Sequence, residues 1–337
     1  MNPRKSMIVL KYNGKTAQSL ANEMSSCTIT DCASGQADTI SIQVSNKNLK
    51  WFKPKWFPRS TDFVKASIKV YHWKGPNDTR TSYQGLFFID NMSGSGYPNE
   101  ASLEGISIPI ATEFNVTQRN ITYKKKSIKK ILGEIANRAG IRLVFEASDH
   151  SIEEVSQAGK TDMEFAFSLC SDYDLCMKVY NRKLVVYDQT KYERKPAKYT
   201  LNHSDMGEDN SYNISRRVAQ VYDSVKYQYQ DKDGKKITYK FVIPGRKGKR
   251  PLFISGQADN HADAEKKAKA ALAANLREAV TASFTLLGDP KYKAATVFKL
   301  KGFGKFDGRY FIDEVTHSKN DAYMSTIQCH KCVTNIK

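Results

Sequence analysis

The sequence predicts a predominantly β, α+β fold, with strand-rich blocks at both ends and helices between them. Three observations carry that expectation. The first hundred residues alternate apolar and polar side chains with the period of half-buried strands. From Ser127 the period lengthens to that of a helix. Beyond a polar stretch the alternation returns and is interrupted by one alanine-rich helical run. At 337 residues the chain is long for a single unit. The changes of period divide it into 1–118, an α+β middle unit 119–190, a linker 191–215 and a final unit 216–337.

In the first unit, Thr39-Ile40-Ser41-Ile42-Gln43-Val44 puts every even residue on an apolar face. Ala66, Ile68 and Val70 repeat the pattern against Lys65, Ser67 and Lys69. Trp51, Phe52, Trp56 and Phe57 flank Lys53-Pro54-Lys55, a segment unsuited to a central strand. Those four aromatics read as cover for one end of a small barrel, with a partner-binding patch as the alternative. Gly85 to Asp90 is a strand, Ser93-Gly94-Ser95-Gly96 a turn or loop, and Leu103 to Ile110 a further strand.

In the middle unit, Ile128, Ile131, Leu132, Ile135, Ala136 and Ala139 share one helical face, and Gly140 is placed to end the helix. A short strand follows over Ile141 to Phe145. Thr161 and Glu164 form a capping box for a second helix with Phe165, Leu169 and Tyr173 on one face. Arg182 to Tyr187 is the next strand.

In the last unit, Val221 to Tyr229 and Ile237 to Ile243 alternate around Asp233-Gly234, a hairpin signal. Asn260 caps a helix expected to run to about Ala282. Its stripe of Ala264, Ala268, Leu272, Leu276 and Ala279 lets it lie close on a sheet, with Lys266, Lys267, Lys269 and Arg277 pointing elsewhere. Strands follow at Ser283 to Leu286, Thr296 to Leu300, Tyr310 to Val315 and Tyr323 to Cys329. No repeat of 20–50 residues is present.

The composition excludes several classes. No apolar run approaches the roughly 18 residues of a membrane helix, so no membrane association is expected. Met7 to Leu10 is too short for a signal peptide, which implies folding in cytoplasm. Six cysteines form loose pairs at 27 and 32, 170 and 176, 329 and 332, and reduced thiols are expected. Cys329-His330-Lys331-Cys332 looks like half a zinc finger. On a strand, however, three-residue spacing turns the two sulfurs to opposite faces, and no second CxxC exists. No metal and no cofactor are expected.

The search for catalytic chemistry returns no phosphate loop, no GxSxG and no HExxH, and the six histidines are scattered. Glu153, Glu154 and Asp162 read as surface and helix-start acids, so no catalytic residue is assigned. The net charge of +18 permits nucleic acid or acidic partners without choosing between them. Lys124-Lys125-Lys126, Lys129 and Lys130 are read as the start of a helix. Arg246-Lys247-Gly248-Lys249-Arg250 lies in a Pro244–Pro251 loop.

With these segments in place, the chain resembles the phage late control gene D family, the baseplate hub proteins of contractile tails. The last third carries the clearest likeness. It runs from the helix at Ala262 through Ser283-Phe284-Thr285-Leu286, Gly288-Asp289-Pro290 and Gly302-Phe303-Gly304 to Asp307-Gly308-Arg309-Tyr310-Phe311-Ile312 and Val315-Thr316-His317. Tyr12-Asn13-Gly14-Lys15, Gly85-Leu86-Phe87-Phe88-Ile89-Asp90, Ser107-Ile108-Pro109-Ile110 and Asp162-Met163-Glu164-Phe165 extend it over nearly the whole chain. The resemblance implies two small β-barrel-like, tube-type domains around the middle unit. It also implies a homotrimer whose pseudo-sixfold ring meets the tail tube protein on one side and the central spike protein on the other. Other baseplate proteins, and the tape measure protein, are further partners it implies. Assembly would take place in the bacterial host cytoplasm, in a virion baseplate or a released tail-like particle. Some relatives carry a peptidoglycan-hydrolysing extension, for which no room is expected after Tyr310.

Two other functions compete with this structural one. A nucleic-acid-binding protein would use the charge together with Tyr227, Tyr229 and Tyr239 as a stacking platform. The same tyrosines also serve simply as cross-strand pairs, and no specific nucleic-acid binding is expected. A tail-associated cell-wall hydrolase would need a catalytic constellation.

Overall fold

The computed structural model describes residues 3–59, 61–109, 113–207, 210–230 and 234–336. The first block holds β1 (Lys5–Tyr12), β2 (Lys15–Thr16), a short helix α1 (Gln18–Glu23), β3 (Met24–Cys32), β4 (Thr39–Ser45), β5 (Phe63–Tyr71), β6 (Arg80–Ser95) and β7 (Glu100–Ile106). Alternation places Ile40, Ile42 and Val44 of β4 in one core with Ala66, Ile68 and Val70 of β5, all at most 1% exposed. Ser93 to Ser95 extend β6 and pair with β7, so the turn expected there begins later. Gly105 permits the close β6–β7 approach, because a Cβ there would lie 2.9 Å from the Phe88 carbonyl oxygen. Ile110 lies outside the described residues.

The middle holds β8 (Gln118–Ser127), α2 (Ile128–Arg138), β9 (Arg142–Glu146), β10 (Ser151–Thr161), α3 (Asp162–Ser171), β11 (Leu175–Tyr180), β12 (Lys183–Asp188) and α4 (Gln189–Glu193). The expected stripe of α2 is fully packed against α3 and the β11-β12-β9 sheet, and Gly140 ends the helix at φ +62°. The Thr161–Glu164 capping box is present in both directions. One expectation fails here. Lys124, Lys125 and Lys126 belong to β8, because Ser127 is the extended N-cap residue whose side chain accepts from the Lys130 N–H. A helix cannot begin before its cap.

The remainder holds β13 (Thr200–Asn202), β14 (Ser211–Arg216), β15 (Ser224–Gln230), β16 (Lys236–Val242), β17 (Pro251–Ser255), α5 (His261–Arg277), β18 (Val280–Leu287), β19 (Val297–Lys301), β20 (Gly308–Lys319) and β21 (Tyr323–Lys331). The polar stretch 191–215, expected to link two units, contains the end of α4, all of β13 and most of β14. It reads as a linker because β14 is an edge strand, paired among the described residues with β18 alone and exposed at nearly every position. The hairpin β15–β16 forms as expected, although Asp233 of its turn lies outside the described residues. α5 ends at Arg277, not near Ala282, and Ala282 lies in β18.

Thirteen strands make one open sheet in the order β14-β18-β21-β20-β3-β4-β7-β6-β5-β1-β2, with β19 and β13 joined at β20. The two ends of the chain therefore share a sheet through β3 and β20. Residues 308–311 of β20 pair with β19, and residues 314–319 pair with β3. The exchange of partners happens at a bulge on Asp313. The separate sheet β16-β15-β17 is covered on its inner face by α5.

Candidate functional site

The polar residues that join the blocks are buried, and they assemble from elements far apart in sequence. On β11, Lys178 donates to Asp31 of β3 at 2.7 Å and lies 3.1 Å from Asp38, ahead of β4. Asp31 also accepts from the Ala294 N–H, ahead of β19. The middle unit is thus pinned where the two sheet halves meet. Burial pushes the Asp38 carboxyl up against the pull of Lys178, and the two aspartates hold the Lys178 ammonium above its ordinary value despite its own burial. Tyr187 adds a hydroxyl donated to the Ala33 carbonyl at 2.8 Å.

A second network sits under the last turn of α5. Arg277 donates to Glu193 of α4, to Asp174 ahead of β11 at 2.6 Å and to Thr190 at 3.1 Å. Glu193, fully buried, also accepts from the Val333 N–H and lies 3.4 Å from His330 of β21. The other ring nitrogen of His330 lies 2.8 Å from Asp313, the residue at the β20 bulge, whose side chain is 43% exposed. Burial alone would lower the His330 imidazole, but Asp313 and Glu193 lift it to about 9. His317 faces no carboxylate within bonding distance. Its ring bonds Ser325, Tyr323 and the Tyr292 carbonyl, and burial drives it down to about 4.

These groups are positioned by secondary structure and, Asp313 apart, largely shielded from solvent, so they fix the relation of the units. Arg277 corrects the sequence reading, which pointed it away from the packed side. The signal was present: Ala270, Ala273 and Arg277 recur at i, i+3 and i+7, a second stripe, and all three are buried. Lys267 is also no free surface cation, since it pairs with Asp263 at 2.9 Å and lies over the Tyr173 ring. Asp162 begins α3 as expected, yet it is buried, and Arg138 donates to it from two nitrogens. Glu153 and Glu154 are exposed. Nothing in the sequence marked Lys178, Glu193 or Asp313, and Thr30-Asp31 and Ala37-Asp38-Thr39-Ile40 stood out only as part of the family resemblance, because the partners of all five lie on other elements.

The cysteines are thiols. Those at 27, 32, 170, 176 and 329 are buried, and Cys329 donates to the Ala282 carbonyl. Among the described residues no group of three His, Cys, Asp or Glu side chains is arranged to hold a metal ion. No helix among the described residues is long and apolar enough to cross a membrane. The four aromatics of the first block divide: Trp51 is buried and donates to Glu23, whereas Phe52 and Phe57 are 41% and 55% exposed.

Tyr227, Tyr229 and Tyr239 face α5 and are at most 7% exposed. The outer face of the same sheet is basic. A cross-strand row runs Lys240, Lys226, Phe253, with the Lys226 ammonium 4.9 Å from the Phe253 ring. Like charges directly opposite each other weaken a strand pair. Beside this row the exposed loop carries Arg246, Lys247, Lys249 and Arg250, its backbone held by the Asp223 carboxylate. This face is the strongest candidate surface for an acidic partner.

The sequence matches no protein-family model and no curated protein. Solved structures do match. The tail protein of Neisseria meningitidis MC58 aligns over 98% of this chain and 99% of its own, with TM-score 0.71 and 15% identity. The 43 kDa tail protein of prophage MuSo2 from Shewanella oneidensis aligns over 97% and 98%, with TM-score 0.72 and 14% identity. An Escherichia coli component of the type VI secretion system, described as similar to the T4 tail proteins gp27 and gp5, aligns over 93% and 74%, with TM-score 0.56 and 13% identity. The fold of this chain, a predominantly β, α+β architecture, is therefore that of a phage tail protein.

Proposed function

We propose that this chain is a structural, non-enzymatic hub protein of a contractile tail or tail-like particle, joining a sixfold tube to a threefold spike as a homotrimer. The observation that carries the proposal is the whole-chain likeness to the two bacterial tail proteins, each aligned end to end. The order of motifs in the last third supports it independently. The buried networks suit such a role, since they make the units one rigid body that can transmit force between neighbours. The competing nucleic-acid function loses its platform, because the three tyrosines pack on α5 and leave Phe253 as the exposed ring of that sheet.

The test is mass in solution, alone and with the tube and spike proteins of the same particle. Light scattering is expected to give three copies per assembly in at least one of these mixtures. A monomer in all of them at high concentration would remove the hub reading.

A further inference from the structure

Where the first block meets the last, a cavity of about 290 Å³ opens between Trp73 and Lys74 on one side and the 286–292 segment on the other. Its charge is unbalanced. Asp289 is 4% exposed and receives three cations: Arg80 donates at 2.9 Å, Lys74 lies at 3.4 Å and Lys291 at 3.7 Å. Arg4 stands on the rim as a fourth, and Asp205 is the second acid on the wall. Arg80 is held by Asp78 as well, from two nitrogens, so the lining itself sets three cations, Arg4, Lys74 and Lys291, against two carboxylates, an excess of one positive charge in a concave, partly enclosed place. Asp289, sharing Arg80 with Asp78, cannot by itself neutralise Lys74 and Lys291, and like charges held together in a recess cost stability unless an anion joins them. Burial first, with Lys74 and Arg80 adding to it, holds the Lys291 ammonium below its ordinary value even beside Asp289. The floor includes Tyr199, whose hydroxyl is buried without a hydrogen-bond partner and whose ring lies 4.9 Å from the Lys291 ammonium.

We infer that this cavity binds an oxyanion, the phosphate or carboxylate group of a ligand, between Arg4, Lys74 and Lys291. The volume fits such a group with its first waters, and the three side chains supply charge-assisted donors from both blocks. An occupant would tie the first block to the last at a point where their own contacts leave charge unspent. The inference does not depend on the hub reading, which stands or falls on the number of subunits.

Isothermal titration of the full chain at constant ionic strength tests it, with inorganic phosphate as one probe and N-acetyl-glutamate as the other. Saturable binding of at least one is expected, and the tighter probe identifies the chemistry of the occupant. Arg4→Gln and Lys74→Gln should each weaken that binding by about tenfold or more, the worth of one charge-assisted contact. Arg4 touches no buried carboxylate, so its variant reads the site without endangering the fold. A double variant of the distant loop, Lys247→Gln with Lys249→Gln, should bind as the parent does. The inference is overturned if neither probe binds, if Arg4→Gln and Lys74→Gln bind unchanged, or if the loop variant loses the binding.

Discussion

Arg277 shows how a single side chain can hold several elements in place. Its guanidinium satisfies Glu193, Asp174 and Thr190 together, and removing it leaves two carboxylates facing each other in the interior. Arg277→Ala is expected to cost about 3–5 kcal/mol, because breaking a buried pair leaves an uncompensated charge. Lys247→Ala in the exposed loop should stay within about 0.5 kcal/mol, and denaturant titration of both checks the contrast. The two buried histidines give stability a defined pH dependence. His330 has a folded value of about 9, above the unfolded 6.5, so its contribution is complete below 6.5 and is lost as pH rises toward 9. That contribution is up to about 3 kcal/mol. His317 is shifted the other way, to about 4, so its contribution is complete above 6.5 and is lost as pH falls toward 4. Stability from this pair therefore peaks near pH 6.5. His330→Gln should flatten the alkaline limb alone, which chemical denaturation at a series of pH values would show. A limb unchanged in that variant would contradict the assignment.

At the scale of elements, α5 is packed on two sides. Ala264, Ala268, Leu272 and Ala273 share a core with the tyrosines of β15 and β16, while Arg277 reaches Glu193, Asp174 and Thr190 of the middle unit. Leu272→Ala should cost about 2–5 kcal/mol, since the residue is fully buried and the cavity would sit between helix and sheet. A neutral result in denaturant titration would mean the helix is held by its polar end instead. The helices were legible from sequence where a cap or stop signal was read: Gly140, Thr161 with Glu164, and Asn260 each mark a boundary that the structure keeps, whereas the Lys124–Lys126 start was overturned by the Ser127 cap. Strands were legible where one face is buried and the other wet, as in β4 and β5. β14 was read as linker because an exposed edge strand has no apolar face, and β10 was missed for the same reason, with exposed residues through most of its length. The polar networks were not legible, because a pair such as Lys178 and Asp31 is 147 positions apart and neither residue has a local reason to be buried.

At the scale of the whole molecule, the outward face of the β16-β15-β17 sheet and its loop carry Lys226, Lys240, Arg246, Lys247, Lys249 and Arg250, one part of a net charge of +18 that is also spread over other exposed lysines. With Tyr227, Tyr229 and Tyr239 buried against α5, the protein is expected not to bind duplex or single-stranded DNA at micromolar levels near physiological salt, where sequence-independent contacts are weakened steeply by counterions. Fluorescence anisotropy with labelled oligonucleotides would reverse this view if it found such binding. The pairing of β3 with β20 has a consequence in time. Thr30 lies across from Thr316, a separation of 286 residues, and the two hydroxyls are 3.3 Å apart. Local elements such as the β15–β16 hairpin and α2 can form while the chain is still being synthesised, but this ladder must wait for residue 319 to emerge. Until then the edge of β3 that will receive β20 stands open, with its N–H and C=O groups unpaired, and it can recruit a strand from a neighbouring chain. Synthesis on crowded ribosomes therefore exposes the nascent protein to wrong partners for most of its translation, and the last hairpin to appear is the one that ends the exposure.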